Sequence, residues 1–536
     1  MSGTMEKTIR VLSSSKGKAA RRALHSAVSS SEPQLSLLAS REVVKTNNVT
    51  GMFELVKKFN QLSSEQQNLL AVHVDKLGTP VRMALLNENL EVQENAINVI
   101  RHLRPYSVIP QLLRHLELGG VTRHFGVVQW AVNHLLEYFS QEFQRHVPRK
   151  TAYNYILTEV IDAMERGLSS WRHHEREIFF DVFFRISERI GTLGHESHEM
   201  ISNPNHPAYA AFMRKLTGSQ DHYVIRFLTR QLEATAVPKG LLHVTSRRTD
   251  LAFVRMLLET VGYHPTTMLQ TNLSHIFRFD WLGDLHVRLE ELDGGCHRFL
   301  VEMIHWSGMS EMEKMLVYET VLRFGSRQGK TAVMERLQQN VSPDADRLVL
   351  LASDSDNPEI QALALSQLRA RRIQGATSKL LRLIDTPHDC VRSVISSELT
   401  EFRMDRLLQT LDALSDEQRD YMLRIVKKID PGYQETIARE LENPYQKHKD
   451  FLLDQMIVEK TVVTYETSLM KLVENERVLA LRLKAVKLLA LGIHEASLHF
   501  LKNTAERDQD MEVRLLAQRV YEIRNTSRRF TGAAVT

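Results

Sequence analysis

Apolar residues in this chain recur at helical spacing, and a short phrase precedes them. After Asp356-Asn357-Pro358-Glu359, apolar side chains fall at Ile360, Leu363, Ala364 and Leu368. After Asp385-Thr386-Pro387-His388-Asp389-Cys390 they fall at Val391, Val394, Ile395 and Leu399. Both sets trace one face of an α-helix. Proline suits a helix start, where its missing N–H costs nothing, and the aspartate ahead of it is expected to cap the free N–H groups.

The pair formed by an apolar residue and Gln or Arg returns at Val92-Gln93, Val128-Gln129, Ile360-Gln361, Val391-Arg392, Leu481-Arg482 and Val513-Arg514, with intervals of 36, 31 and 32 residues between 92 and 128, 360 and 391, and 481 and 513. The fourth position after the apolar residue is alanine in four of these six copies, which lets a neighbouring helix approach closely. A break and a second amphipathic helix follow: Pro105 then Val108, Ile109, Leu112, Leu113 and Leu116; Gly375 then Leu380, Leu381 and Ile384; Leu491-Gly492 then Ala496, Leu498 and Leu501. A single helix–turn–helix unit cannot bury both apolar faces, whereas a stack of such units can. The expectation is an all-α chain forming an α-solenoid of antiparallel helix pairs, with about ten to fourteen repeats of ~35–40 residues. A longer echo, Ser63…Gln66, Ser310…Glu313 and Ser415…Gln418, predicts three capping boxes at helix starts.

These features resemble the HEAT repeat family, in particular its short subtype named after the phycobilisome lyases, within the wider HEAT/armadillo-like superhelices. The best-matching stretch runs from Val478 to Val520, with Leu481-Arg482, Ala485, Leu489, Leu491-Gly492, Glu495-Ala496, Leu498, Asp508, Asp510 and Val513-Arg514. The resemblance is good over 85–140 and 345–525 and poor between about 150 and 340. It implies a ladder of hydrogen bonds between repeats, a role that would fall to Asp356, Asp385, Asp510, Arg392, Arg482 and Arg514. It says almost nothing about function.

Composition changes the picture little. The 536 residues, 43% hydrophobic and 25% charged, are those of a folded protein. Two cysteines, Cys296 and Cys390, exclude a disulfide framework or a multi-cysteine zinc cluster and suit a reducing cytoplasm. No apolar run reaches the ~20 residues of a membrane-spanning helix. A formal charge of +4 argues against a dedicated nucleic-acid binder. The expected organisation is a flexible basic, serine-rich arm over 1–48 (with a short helix near 19–28), regular repeats over 49–147, longer aromatic-rich helices over 148–235, irregular repeats over 236–345, regular repeats over 346–525 and a loose tail over 526–536, its basic character beginning at Arg524. The arm also has the composition of a mitochondrial presequence; a solvated tail is the commoner source of it. Pro148 is the expected first boundary, and 191–207 is expected to be a loop.

Candidate chemistry is thin. Gly325-Ser326-Arg327-Gln328-Gly329-Lys330-Thr331 fails as a phosphate loop: Phe324 stands where the first glycine belongs, and a helical pattern precedes it. It reads as a helix end followed by a new helix at Thr331. His195-Glu196-Ser197-His198-Glu199 lacks zincin spacing. The pairs His174-Glu175 and His494-Glu495 resemble the iron ligands of deoxyhypusine hydroxylase, a HEAT-type enzyme, but sit at non-equivalent repeat positions. His264, His275, His286 and His297 recur every eleven residues across helix breakers. Basic clusters at Arg21-Arg22, Arg145 to Lys150, Arg247-Arg248, Arg369 to Arg372 and Lys427-Lys428 read as solvated helix ends. No catalytic, cofactor-binding or metal-ligating residue is assigned. The expectation is a cytoplasmic, non-enzymatic scaffold or adaptor that binds protein partners, with a nucleic-acid-binding solenoid and a lyase- or hydroxylase-like enzyme or accessory factor as alternatives. The aromatic run Tyr153, Tyr155, Trp171, Phe179, Phe180, Phe183 and Phe184 reads first as core and second as a functional deviation.

Overall fold

Several helices begin where the sequence supplies a cap. The computed structural model describes residues 2–15, 17–118, 123–145, 150–187 and 194–532; these form 34 α-helices joined by turns and short 3-10 segments, with no strand among the described residues. Ser63 with Gln66, Ser310 with Glu313 and Ser415 with Gln418 all form complete capping boxes. At the helix Pro358–Leu368 the cap is Asn357 and not Asp356: its Oδ1 accepts from the backbone N–H of Glu359 at 3.0 Å and of Ile360 at 3.3 Å. Among the described residues no helix is long and apolar enough to cross a membrane.

Two compact units divide the chain, Met1–Gly329 and Lys330–Thr536. Within each, helices pack on those one, two or three places along the chain. Gly78–Leu85 lies against Leu90–Leu103 and Ile109–Leu118, and Ile109–Leu118 against Lys150–Ser169. In the second unit Glu466–Asn475 lies against Leu479–Leu489 and Glu495–Arg507, and Leu479–Leu489 against Met511–Gly532. Ala96, Ala364, Ala485 and Ala517, the four alanines of the recurring phrase, are completely buried. Leu363 departs from the expected inward face; it is exposed, and Leu365 takes its place in the core.

The Gln or Arg of the phrase has a defined task. Gln93 Nε2 donates to Leu85 O at 3.1 Å, Gln361 Nε2 to Ser353 O at 3.1 Å, Arg482 Nε to Val473 O at 2.9 Å and an Arg514 guanidinium nitrogen to Asp508 O at 2.6 Å. Each acceptor lies at or near the end of the preceding helix, where carbonyls lack intrahelical partners. The side chain therefore reaches back rather than forward. Of the ladder residues implied by the resemblance, Arg482 also bonds the Asp508 carboxylate at the end of the next helix, and Arg514 meets the same turn. Asp510 instead caps the helix Met511–Gly532 through Glu512 N–H at 3.0 Å, and Asp385 accepts from Lys428 Nζ at 2.5 Å. Arg392 stays local, on Asp389 and Thr386.

Several expectations are corrected. Where a flexible arm was expected over 1–48, the structure has helices Ser2–Ser14, Lys18–Val28 and Pro33–Lys45. Ile9, Leu24, Ala27, Val28, Ala39, Val43 and Val44 are buried there, while Arg21 and Arg22 face solvent. Two serines of this stretch are interior: Ser36 Oγ donates to Val28 O at 2.6 Å, and Gln66 Nε2 donates to the hydroxyls of Ser36 and Ser40 at 3.0 and 2.9 Å. The tail expected from Arg524 belongs to the helix Met511–Gly532 as far as that helix extends. The buried Arg524 donates to Ser497 Oγ at 2.8 Å and to Leu489 O at 3.2 Å. Residues 533–536, the boundary at Pro148 and positions 191–193 of the expected loop lie outside the described residues. The rest of that loop contains the helix His195–Ser202.

The back-reaching arginine predicts a graded outcome. Arg482→Met should lower stability by about 1–3 kcal/mol, because it strands the Val473 carbonyl and the enclosed Asp508 carboxylate. Lys428→Met, at an exposed bridge, should cost at most about 1 kcal/mol. Urea titration followed by circular dichroism distinguishes the two; equal losses would contradict the assignment.

Candidate functional site

The first unit carries a groove of about 860 Å³ between a helix and an extended turn. One wall is the helix Lys239–Arg247. Leu241, Val244 and Thr245 face inward, so Lys239, His243 and Arg247 line up on the outer face one turn apart, with Leu242 and Ser246 half-buried beside them. Arg248 ends the helix and turns inside: it donates to Leu216 O and Ser219 O, both at 2.8 Å, and pairs with Asp250. The Arg247-Arg248 pair thus splits into one groove cation and one structural tie.

The opposite wall is built from His275, Ile276, Phe277, Arg278 and Asp280. It follows the helix Thr267–Leu273, which Asn272 anchors by donating to Leu232 O and Ala234 O at 2.8 Å each. Gly308 N–H then donates to Ile276 O at 2.9 Å. Only glycine fits at that point, since a Cβ would stand 2.2 Å from Ser274 O and 2.9 Å from the Phe277 ring. Phe279 and Trp281 are buried behind the wall, whereas Phe277 is held 67% exposed. Asp280 accepts from Arg278 Nε at 2.7 Å, and its other oxygen lies 4.0 Å from Arg247 Nε. The groove therefore presents an apolar floor with three cations and one carboxylate at its rim.

The residues singled out by sequence have other occupations. The Gly325–Lys330 stretch connects the helix Glu311–Phe324 to one beginning at Arg327, four residues earlier than expected. Its turn is held by His297: Ser326 N–H donates to Nδ1 at 2.8 Å while Nε2 bonds Leu289 O at 2.8 Å. His264, His275 and His286 are exposed and belong to separate elements; only His297 of the four is buried. In the His195–Glu199 stretch, the Glu165 carboxylate accepts from Glu196 N–H at 2.9 Å and bonds Ser197, so it caps the helix. His174 bonds Gly167 O at 2.8 Å and accepts from Arg176 N–H at 3.0 Å. His494 sits on Glu466 at 3.0 Å. Among the described residues no three His, Cys, Asp or Glu side chains converge as metal ligands would.

Several side chains of the basic clusters are likewise committed. The half-buried Arg371 bonds Asp346 at 2.9 Å and Asn340 O at 2.8 Å, Arg369 bonds Glu401 at 2.9 Å, and Lys427 bonds Glu459 at 2.6 Å. The side chain of Arg145 and residues 146–149 lie outside the description. Trp171, Phe179, Phe180, Phe183 and Phe184 are core; Trp171 stacks on Phe180, Phe180 and Phe183 meet Phe212 edge-on, and Phe184 stacks on Phe212 with ring centroids 5.3 Å apart. Tyr155 alone of the aromatic run is strongly exposed, beside a second opening of about 610 Å³ with Arg114 and Glu159. The Phe277 groove escaped sequence reading, although Lys239, His243 and Arg247 carry a helical-stripe signal. No family model and no curated protein matches the chain.

His297 makes the fold sensitive to acid. Burial holds its pKa below the usual 6.5, opposed by its bond to Leu289 O and the nearby Asp293. The neutral ring is needed as acceptor for Ser326 N–H. A group with a lowered folded pKa contributes fully above its unfolded pKa, and stability falls as pH drops from there toward the folded value. Urea midpoints should therefore decline as pH falls through the usual histidine value of about 6.5 and below. His297→Gln should start lower and lose part of that slope; an unchanged slope would contradict the role.

Proposed function

We propose that the chain is a HEAT/armadillo-like α-solenoid acting as a cytoplasmic scaffold or adaptor, not as an enzyme, and that it holds a protein partner in the Phe277 groove. The observation that carries this reading is the exposed Phe277, fixed in place by the backbone contact at Gly308. An aromatic side chain left at the surface on a braced turn is the kind of anchor that protein interfaces use. Support for the architecture comes from packing between successive helices and from ties at repeat-like separations, such as 32 residues for Arg248 to Leu216 and 35 for Arg524 to Leu489.

The rival readings find less support. Catalytic groups commonly show displaced pKa values in a cleft. Here the displaced values at His297, Cys296 and Glu466 belong to side chains bonded inside the fold. Burial pushes the Cys296 thiol up to about 11, which leaves it a poor nucleophile. Nucleic-acid binding would need a free cationic track, and Arg248, Arg369, Arg371 and Lys427 are engaged in bonds to other parts of the protein.

A photo-crosslinking amino acid at position 277 tests the reading. It should capture a discrete protein, and Arg247→Glu in the same chain should reduce the capture. A crosslinker at Tyr445, 89% exposed in the other unit, serves as the control. Capture of the same proteins from 445, or none from 277, would contradict the proposal.

A further inference from the structure

We infer that the groove takes an acidic segment in extended conformation, with carboxylates on one face and apolar side chains on the other. This rests on the adaptor reading and names the chemistry of the partner. Lys239 and Arg247 stand at the two ends of one helical stripe, and Arg278 adds a third cation against a single carboxylate, Asp280. Asp280 is already bonded to Arg278, whereas Arg247 stands 4.0 Å from it and keeps a 62% exposed side chain. Arg247 is therefore available to a second carboxylate.

The spacing fits an extended segment. Residues four apart on a helix are displaced by ~6 Å along its axis, so Lys239 and Arg247 are ~12 Å apart along the helix. An extended chain places side chains of the same face every ~6.7 Å, so residues four apart span ~13 Å. Two acidic residues separated by three others therefore match Lys239 and Arg247. The intervening alternate residues point to the other wall, where Phe277 and Ile276 offer apolar surface. One peptide satisfies both walls only with acidic and apolar positions alternating in this way. A single-stranded nucleic acid fits less well. Its backbone charge calls for more than three cations, and its bases need successive aromatic platforms where the groove has one.

Fluorescence anisotropy with the full-length protein tests the inference. The probe is a labelled synthetic peptide with a Glu-Phe-Ser-Phe-Glu core. Comparison probes carry Lys for Glu or Ser for Phe, and a labelled oligo-dT represents nucleic acid. The acidic peptide should bind. Arg247→Glu, Lys239→Glu and Phe277→Ala should each weaken it by about tenfold or more. All three residues are exposed, so thermal midpoints should stay near that of the parent chain. Lysine peptides should fail. Preference for oligo-dT, equal binding of the lysine peptide, or unchanged affinity in all three variants would overturn the inference. If position 277 crosslinks a protein while the acidic peptide fails to bind, the adaptor reading stands and the acidic partner falls. If 277 crosslinks nothing, the adaptor reading itself falls.

Discussion

Short helices create the constraint on which this structure depends. Every α-helix leaves four N–H groups at its start and four carbonyls at its end without intrahelical partners. In helices such as Glu466–Asn475, with 10 residues, or Leu479–Leu489, with 11, those orphans are a large part of the backbone. Burying them unpaired would cost more than the packing of apolar faces could offset. The chain answers with polar side chains that cross from one helix to the end of another. Gln361, Arg482 and Arg514 reach carbonyls behind them; Arg248, Arg371 and Arg524 reach carbonyls 32, 31 and 35 residues back in the chain.

Helix starts receive the complementary treatment. Glu165 and Glu466 each place a carboxylate on the N-terminus of a helix that begins about thirty residues later, through Glu196 and Ser197 in one unit and Ile493, His494 and Ser497 in the other. A glycine stands beside each: a Cβ at Gly194 or Gly492 would lie 2.3 or 2.6 Å from the carboxyl carbon. Burial opposes ionisation of Glu466, but the Ser497 hydroxyl and the N–H groups of Ile493 and His494 outweigh it and hold the carboxyl below its usual range. Its contribution is therefore present above the unfolded pKa and is lost as acid protonates it. Lys449 and Glu476 form a buried pair at 2.6 Å whose Glu476 carboxylate also accepts from two backbone N–H groups, which is what makes such burial tolerable.

Local signals were legible in the sequence, and long-range ones were not. The three capping boxes, the phrase-bearing helices and the small alanines at their interfaces could be read directly, because each involves residues within a turn or two. The arm over 1–48 was misread because its burial depends on Gln66, some thirty residues away, to satisfy Ser36 and Ser40. The helix His195–Ser202 hid for the same reason: its cap comes from Glu165. Composition saw serine, histidine and proline and suggested a loop. The Phe277 groove needed knowledge that Gly308 passes beneath residues 274–277. The helical spacing of Lys239, His243 and Arg247 went unread, and nothing in the local sequence placed a facing wall.

Ties between neighbouring helices make stability local. Native-state hydrogen exchange of the parent chain and Ser497→Ala tests this directly. Loss of that hydroxyl removes bonds to Glu466 and Arg524 together. The account predicts faster exchange in Glu466–Asn475, Glu495–Arg507 and Met511–Gly532, with protection retained in Val49–Lys57, Gly78–Leu85 and Leu90–Leu103. A uniform loss of protection in both units would contradict it.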